Sequence, residues 1–528
     1  MTSAVVGTSA LLRLALRRDR VLLPVWVAAL VLSCVSSVRA TVGLYPDQAS
    51  RVEAARGLND NPALVAFYGP IADVHALGGV ATFKLLLLGG VFVAMLCSVL
   101  VRRHTRVEEE SGRAELLGAT GVGHHALLAA ALVEAALAAL VVGVLTALGN
   151  IAAGLAAPGS VAFGLAWTGL GLSAAGITAL ACQLSASSRT VGGIAAAALG
   201  GAYALRAVGD LSAGWLSWLS PFGWASRMQA YGDNRWWVFA LPVLAFLATI
   251  AGAGSLARRR DLGSGLVAER PGPARGSLAD VNGLALRLQR GSVVGWSLCL
   301  AALGAVLGGI APGVQDMVGS QSARDLLERL GGGGGALVDT FLAAELSFVA
   351  VAVTGFAISS VVRAAGEEGD GRTEQVLATG TSREGVLGAV AAVALAGPIV
   401  LLLGFGLGAA VAFGAQQGAA VDALGSLVPA ALAPLPAVWV VTALALLLFA
   451  LRARWAVLGW ALLGVFLLLG QIGELLGLPG WVVQLSPYGQ LPRMPAESFA
   501  VGPEAVLTLI AAALLALAFW CYRARDVG

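Results

Sequence analysis

The chain has 528 residues, of which 58% are hydrophobic, 12% are charged and 70 are glycine, and its formal net charge is +3. Soluble globular domains carry charge at about 25% of positions, so a soluble enzyme or binding module is excluded, and so small a net charge gives no footing for a nucleic-acid partner. Apolar runs long enough to cross roughly 30 Å of hydrocarbon recur from end to end, which predicts an all-α polytopic membrane protein. In chain order the first six spans fall near residues 21–40, 80–101, 124–152, 160–185, 190–208 and 236–257. The first run is long enough to stay as a helix, and no small-residue cleavage site follows it, so it is read as a span and not as a signal peptide. Residues 258–282, rich in Arg, Gly, Pro and Ser, read as a cytoplasmic linker. Six more spans follow near 292–312, 339–362, 385–414, 425–451, 454–475 and 502–522, giving about twelve transmembrane helices in two halves, 1–257 and 283–528.

The halves are copies. EEESGRAELLGATG at 108–121 returns as EEGDGRTEQVLATG at 367–380, each time after the second span of its half. LALRRDRVLLPVW before the first span matches LALRLQRGSVVGW before the seventh, SPFGWASRM at 220–228 matches SPYGQLPRM at 486–494, and RRRDLG after the sixth span matches RARDVG at the C-terminus. Six spans per half is an even number, so both halves insert the same way round, as parallel six-helix repeats related by an axis along the membrane normal. A cytoplasmic N-terminus puts 23 of the 33 Lys and Arg residues on the cytoplasmic side, as the positive-inside rule requires, and predicts a multi-pass cell-membrane protein with both termini cytoplasmic. On that topology the acidic motifs face the cytoplasm. Ser220, Pro221, Phe222 and Gly223, with Ser486, Pro487, Tyr488 and Gly489, lie outside as short re-entrant helices and form a candidate outer gate, the plainer alternative being an interfacial aromatic belt.

The segment RRHTRVEEESGRAELLGATGVGHH, with its second copy and the surrounding span plan, resembles the ABC-2 type permeases of ATP-binding-cassette exporters, in particular the actinobacterial polyketide-antibiotic exporter permeases of tetronasin type. The resemblance implies that the segment after the second span of each half is a cytoplasmic coupling helix that docks on the ATPase. It assigns Glu108, Glu109, Glu110, Gly112, Arg113 and Glu115, with Glu367, Glu368, Gly371, Arg372 and Glu374, to the docking surface. The residues themselves agree with such a role, since Glu115, Leu116, Leu117 and Ala119 offer an acidic side and a small apolar side to a groove in a soluble subunit. A phosphate-binding loop needs a lysine after its glycine-rich turn, and the only lysine here is Lys84, inside an apolar run. The glycine run 331–335 is therefore read as a connection, and ATP and Mg are expected on a separate ABC ATPase, two copies per permease chain, with no cofactor and no catalytic residue in this chain. The substrate is expected to be a hydrophobic or amphiphilic small molecule, reached from the cytoplasm or the inner leaflet of the lipid.

Charges at membrane depth cost about 2.5–3.5 kcal/mol each on insertion scales, so each needs a reason. Lys84, Glu134, Asp210, Glu345 and Glu474 are the candidates for a cavity or a latch, with Lys84 and Glu345 at similar depth on the second and eighth spans. Asp210 and Glu474 occupy comparable places after the fifth and eleventh spans, where they would cap the turns into the re-entrant segments. The five cysteines lie within or beside apolar runs as packing residues. No metal site is expected, because His104, His124 and His125 stand apart from any acid or cysteine pattern. An ion-coupled secondary transporter, with Glu134, Glu345 or Lys84 carrying a proton, is the alternative, and a non-transporting membrane scaffold is a third; the twin acidic motifs are without a task in the secondary transporter.

Overall fold

The computed structural model describes the chain except residues 1, 45–46, 61, 213, 262, 268–275, 277, 279, 312–333, 473–483, 493 and 527–528. The described residues form helices joined by short turns, with no strand among them. Among the described residues, eleven helices are long and apolar enough to cross a membrane. The span expected at 454–475 is a 3-10 turn at Ala453–Val457 followed by a helix at Leu458–Ile472, beyond which lie residues outside the description. Glu474, Trp481 and most of the glycine run also lie outside the described residues.

Contacts divide the chain into two units, Met1–Pro271 and Gly272–Gly528. The first contains α1 (Thr8–Arg18), α2 (Leu22–Leu44), α3 (Gln48–Asp60), α4 (Pro62–Tyr68), α5 (Leu77–Arg103), α6 (Arg106–Glu110), α7 (Arg113–Gly118), α8 (Ala126–Ala152), α9 (Ala157–Leu184), α10 (Ser188–Leu211), α11 (Pro221–Arg227) and α12 (Ala240–Ala257). The second contains α13 (Val281–Ile310), α14 (Gly334–Gly369), α15 (Arg372–Leu377), α16 (Arg383–Gln417), α17 (Ala420–Leu432), α18 (Leu435–Leu451), α19 (Leu458–Ile472) and α20 (Val501–Ala524).

The repeat is not copied uniformly. In the first half the helix before the first span stops at Arg18 and restarts at Leu22, whereas in the second half the matching residues run unbroken through α13. Pro24 explains the break: it has no N–H for the carbonyl four residues earlier, and Val294 stands at the matching place in α13. Proline also bends the span expected at 425–451, which is built as α17 and α18 meeting at Ala433 and Pro434.

In lipid, helices gain little from apolar burial against one another, so close backbone approach through small residues has to hold the bundle. In the first unit α9 is the most buried span, and it touches α8 through Gly143 and Gly164: a Cβ on either would sit within 2.4 Å of the other's carbonyl oxygen. In the second unit α13 meets α16 in the same way. A Cβ on Gly304 would lie 2.1 Å from the Phe405 oxygen, and one on Gly308 would lie 2.3 Å from the Ala409 oxygen. Gly308→Leu is therefore expected to force α13 off α16 and to cost at least about 1–3 kcal/mol as an overpacked contact, read as a lowered midpoint of thermal unfolding in detergent, with Gly295→Leu, in open space, as the silent control.

Part of the expected linker is built into the first unit. Leu266 and Val267 donate backbone hydrogen bonds to the Gln183 and Leu184 carbonyls at 3.0 and 2.9 Å, so the chain after α12 is tied to the end of α9.

Candidate functional site

The first acidic motif folds as an elbow. Helix α5 ends at Arg103, α6 carries the three glutamates, and Gly112 turns the chain at φ 71° into α7. A positive φ of this kind costs a residue with a Cβ roughly 1–2 kcal/mol, which accounts for the glycine. Glu108 is buried and pairs with Arg18 at 2.6 Å and with Arg113 at 3.4 Å. Glu109 pairs with Arg106 at 2.7 Å and with Arg260, beyond α12, at 2.8 Å. Arg106 is fully buried and also donates to the Cys182 and Ser264 carbonyl oxygens. Glu110 accepts from the Ser188 backbone N–H at 2.5 Å, where the first turn of α10 favours negative charge.

The second motif makes the same bend at Gly371, φ 72°, between α14 and α15. Glu367 pairs with Arg363 at 3.2 Å, Glu368 with Arg525 beyond α20, and Arg372 with Asp370 at 3.2 Å. Arg525 also donates to the Phe449 carbonyl at 2.6 Å and lies over the rings of Phe449 and Tyr522. Glu368 answers to Glu109 in the repeat, and Arg525 to Arg260. Two landmarks that recur separately in the sequence, the acidic motif and the RxRD tail, are therefore fastened to each other in both halves.

The residues of the expected docking surface differ in what they bond. Glu108, Glu109 and Glu368 are taken up by arginines of neighbouring segments within their own unit, whereas Glu110 stays exposed and accepts from the Ser188 amide. The exposed residues of the elbows include Arg113, Glu115 and Leu116 on α7 and Arg372, Glu374 and Gln375 on α15, with Leu116 74% exposed.

At the other end of each half the SP[FY]G segments also share a construction. Ser220 is buried, donates to the Ala202 carbonyl of α10 at 2.7 Å and accepts from the Phe222 and Gly223 amides, which caps α11 behind Pro221. Gly223 admits no side chain, since a Cβ there would lie 1.8 Å from the Ser217 oxygen. Ser486 is buried and donates to the Phe466 carbonyl of α19 at 2.9 Å. There the chain makes only a 3-10 turn, Pro487–Gln490, in which Gly489 is exposed and the Tyr488 hydroxyl meets Thr354 Oγ1 at 2.6 Å.

The profile described as "Multidrug efflux system permease Rv1217c, C-terminal domain" matches residues 278–523, the repeat that carries the second elbow. Along almost its whole length the chain is also similar to the multidrug efflux system permease protein Rv1217c of Mycobacterium tuberculosis (strain ATCC 25618 / H37Rv), 39% identical over 532 residues, 99% of this chain and 96% of the relative. The chain belongs to this family of efflux permeases.

In a permease the charges at span depth are the next residues to account for. Lys84 is exposed on α5 in the first unit, and Glu345 is half-buried on α14 in the second. Asp210 has three polar partners: Arg206 at 3.3 Å, Ser217 Oγ at 2.7 Å and Arg227 at 3.9 Å. Arg206, which the sequence reading passed over, is fully buried and donates to the Val65, Ala66 and Phe67 carbonyls at the end of α4. Its i, i+4 spacing to Asp210 was the available signal.

Glu134 is fully buried on α8, 3.3 Å from His104 Nε2. The same nitrogen lies 2.6 Å from Asp19 Oδ2, so His104 is not isolated from acids, as its sequence neighbourhood suggested. The fold brings the α1–α2 break, the end of α5 and the third turn of α8 to one point. His124 is exposed beside His125, and burial, with His124 and Arg258 nearby, holds the His125 imidazole below its ordinary range.

Proposed function

We propose that the chain is the membrane permease of an ATP-driven ABC-2 type exporter that moves hydrophobic or amphiphilic drugs out of the cell, working with two copies of a separate ATPase docked on α7 and α15. The name of the mycobacterial relative supports drug efflux. The observation that carries the energy-coupling part is the twin elbow, built in the same register with Gly112 and Gly371 at its bends and with Glu109–Arg260 and Glu368–Arg525 behind it. A pair of like surfaces suits a two-fold ATPase dimer. The basic residues favour a cytoplasmic location for both elbows.

The internal pairs give the elbow its mechanical use. Glu108 ties it to α1, Glu109 to the segment after α12, and Glu110 to the start of α10. A partner that grips Glu115 and Leu116 on α7 therefore moves several segments together, most firmly through Glu109, whose ion pairs with Arg106 and Arg260 are buried. Inverting a 1:99 equilibrium between two bundle states needs about 5.5 kcal/mol of differential binding, within reach of nucleotide-driven closure of an ATPase dimer. Lys84 and Glu345 belong to the same proposal, each offering charge to an amphiphilic substrate.

The test is reconstitution. Proteoliposomes holding the permease with its ATPase are expected to take up a fluorescent lipophilic drug only with ATP. Leu116→Asp combined with Gln375→Asp is expected to lower ATPase co-purification at least about tenfold, the loss of about 1.4 kcal/mol of contact, with no change in thermal midpoint. Transport by the permease alone, driven by a pH gradient, would establish the secondary-transporter reading instead, and ATPase binding without flux would establish a scaffold.

A further inference from the structure

The Asp19, His104 and Glu134 cluster is the one group of three metal-capable side chains among the described residues whose ligand atoms all lie within 4.8 Å of one another. All three residues are buried, at 0%, 5% and 0% exposure. Neither Glu134 oxygen has a hydrogen-bond partner, and Asp19 Oδ1 has none beyond its 3.2 Å ion pair with Arg103. Orphaned carboxylate oxygens in the interior are costly, so a need must keep them there.

The second half serves as an internal control. The residues matching Asp19, His104 and Glu134 in the repeat are Gln289, Arg363 and Val393. There the junction closes with a neutral hydrogen bond, Ser360 Oγ to Gln289 Oε1 at 2.7 Å, and Arg363 turns to Glu367. The scaffold can therefore be closed at this place without buried acids, and the first-half cluster serves something other than the fold.

We propose that Asp19, His104 and Glu134 form a binding site for a first-row divalent transition-metal ion of the zinc class, set directly behind the first elbow. One imidazole and two carboxylates are a donor set that such ions accept, with carboxylate charge to match the cation. Ligands about 2.1 Å from a tetrahedral ion stand about 3.4 Å apart. The 3.3 Å separation of His104 Nε2 from Glu134 Oε2 already fits, and the 2.6 Å separation from Asp19 Oδ2 has to open by less than an ångström, a small side-chain rotation. The ion takes the place of the hydrogen bond between His104 Nε2 and Asp19 Oδ2, with the imidazole binding through Nε2 as its Nδ1–H tautomer. Arg103, 37% exposed, stands over the open side of Asp19 and can swing away to admit the ion. A bound ion would fix the α1–α2 junction to the end of α5 and the third turn of α8, two residues before α6 begins.

The test uses the full-length permease in detergent, without a polyhistidine tag, stripped with EDTA and titrated with Zn2+ and with Co2+. One Zn2+ per chain is expected, together with visible d–d absorption of bound Co2+ and a raised thermal midpoint. Glu134→Gln, which keeps the shape of the side chain, is expected to weaken binding by at least about 100-fold, the upper end of what supporting residues around metals cost. The triple variant Asp19→Gln, His104→Arg, Glu134→Val installs the residues that the second half uses and is expected to abolish the site while keeping a monodisperse, cooperatively melting protein; if it does not fold, Glu134→Gln decides. Absence of stoichiometric binding to the wild type overturns the proposal. So does binding that persists in Glu134→Gln, or that disappears with His124→Ala, which would place the ion on the surface histidine pair.

Discussion

Glu109→Gln is expected to lower the stability of the permease by about 3–5 kcal/mol, the range for breaking a buried ion pair by removing one partner. Its carboxylate stands between two guanidiniums, and its loss leaves Arg106, at 0% exposure, and Arg260, at 9%, facing each other without an anion. Coulomb repulsion then adds to the desolvation that the carboxylate had offset. Glu368→Gln should cost less, because Glu368 and Arg525 are 12% and 15% exposed and Arg525 keeps its carbonyl and two aromatic rings. Glu108→Gln should also cost less, since Arg18 is 32% exposed and can turn to water. The expected order of loss is Glu109, then Glu368 and Glu108, then Glu115, which is exposed and close to silent. Denaturation in mixed micelles measures it, and a double-mutant cycle with Arg260→Gln should return part of the loss, because removing both charges leaves less of the interior unpaired. Equal losses for Glu109→Gln and Glu115→Gln would mean that the glutamates act as a surface, not as fasteners.

This division of labour within one acidic motif marks where sequence reasoning stops. Hydropathy located the spans, since a run of some twenty apolar residues has few other uses, and the duplicated landmarks located both elbows and both segments that open with a buried serine before proline. What the glutamates do was hidden because their partners are remote: Arg18 is 90 residues from Glu108, Arg260 is 151 from Glu109, and Arg525 is 157 from Glu368. Recurrence of the acidic motif and the RxRD tail in the same halves was the one clue that they touch. His104 and Asp19, 85 residues apart, lacked even that clue, because the repeat does not preserve them. Local rules were more generous, and Pro24 against Val294 is enough to explain why one half breaks a helix that the other continues.

Arg206→Met is the second substitution expected to damage the protein severely, again by about 3–5 kcal/mol, and the argument runs through what it leaves behind. The guanidinium neutralises Asp210, which is 2% exposed, and at the same time closes the last carbonyls of α4, a seven-residue helix too short to hold itself. Methionine replaces the volume but neither function, so a nearly buried carboxylate is left with Ser217 and a distant Arg227. Asp210→Asn should be the milder change, because Arg206 keeps three carbonyl acceptors and the face of Tyr203 at 4.6 Å, and hydrogen bonds to a charged donor are worth about 1.5–3 kcal/mol each. The pair Arg206→Met with Asp210→Asn should recover much of the loss on chemical denaturation, whereas the turn after α4 should stay open to protease because its carbonyls remain uncapped. Recovery of stability without recovery of protection would separate the two roles of this arginine, ion-pair partner to Asp210 and cap of the neighbouring helix, and assign the ordering of the turn after α4 to the cap.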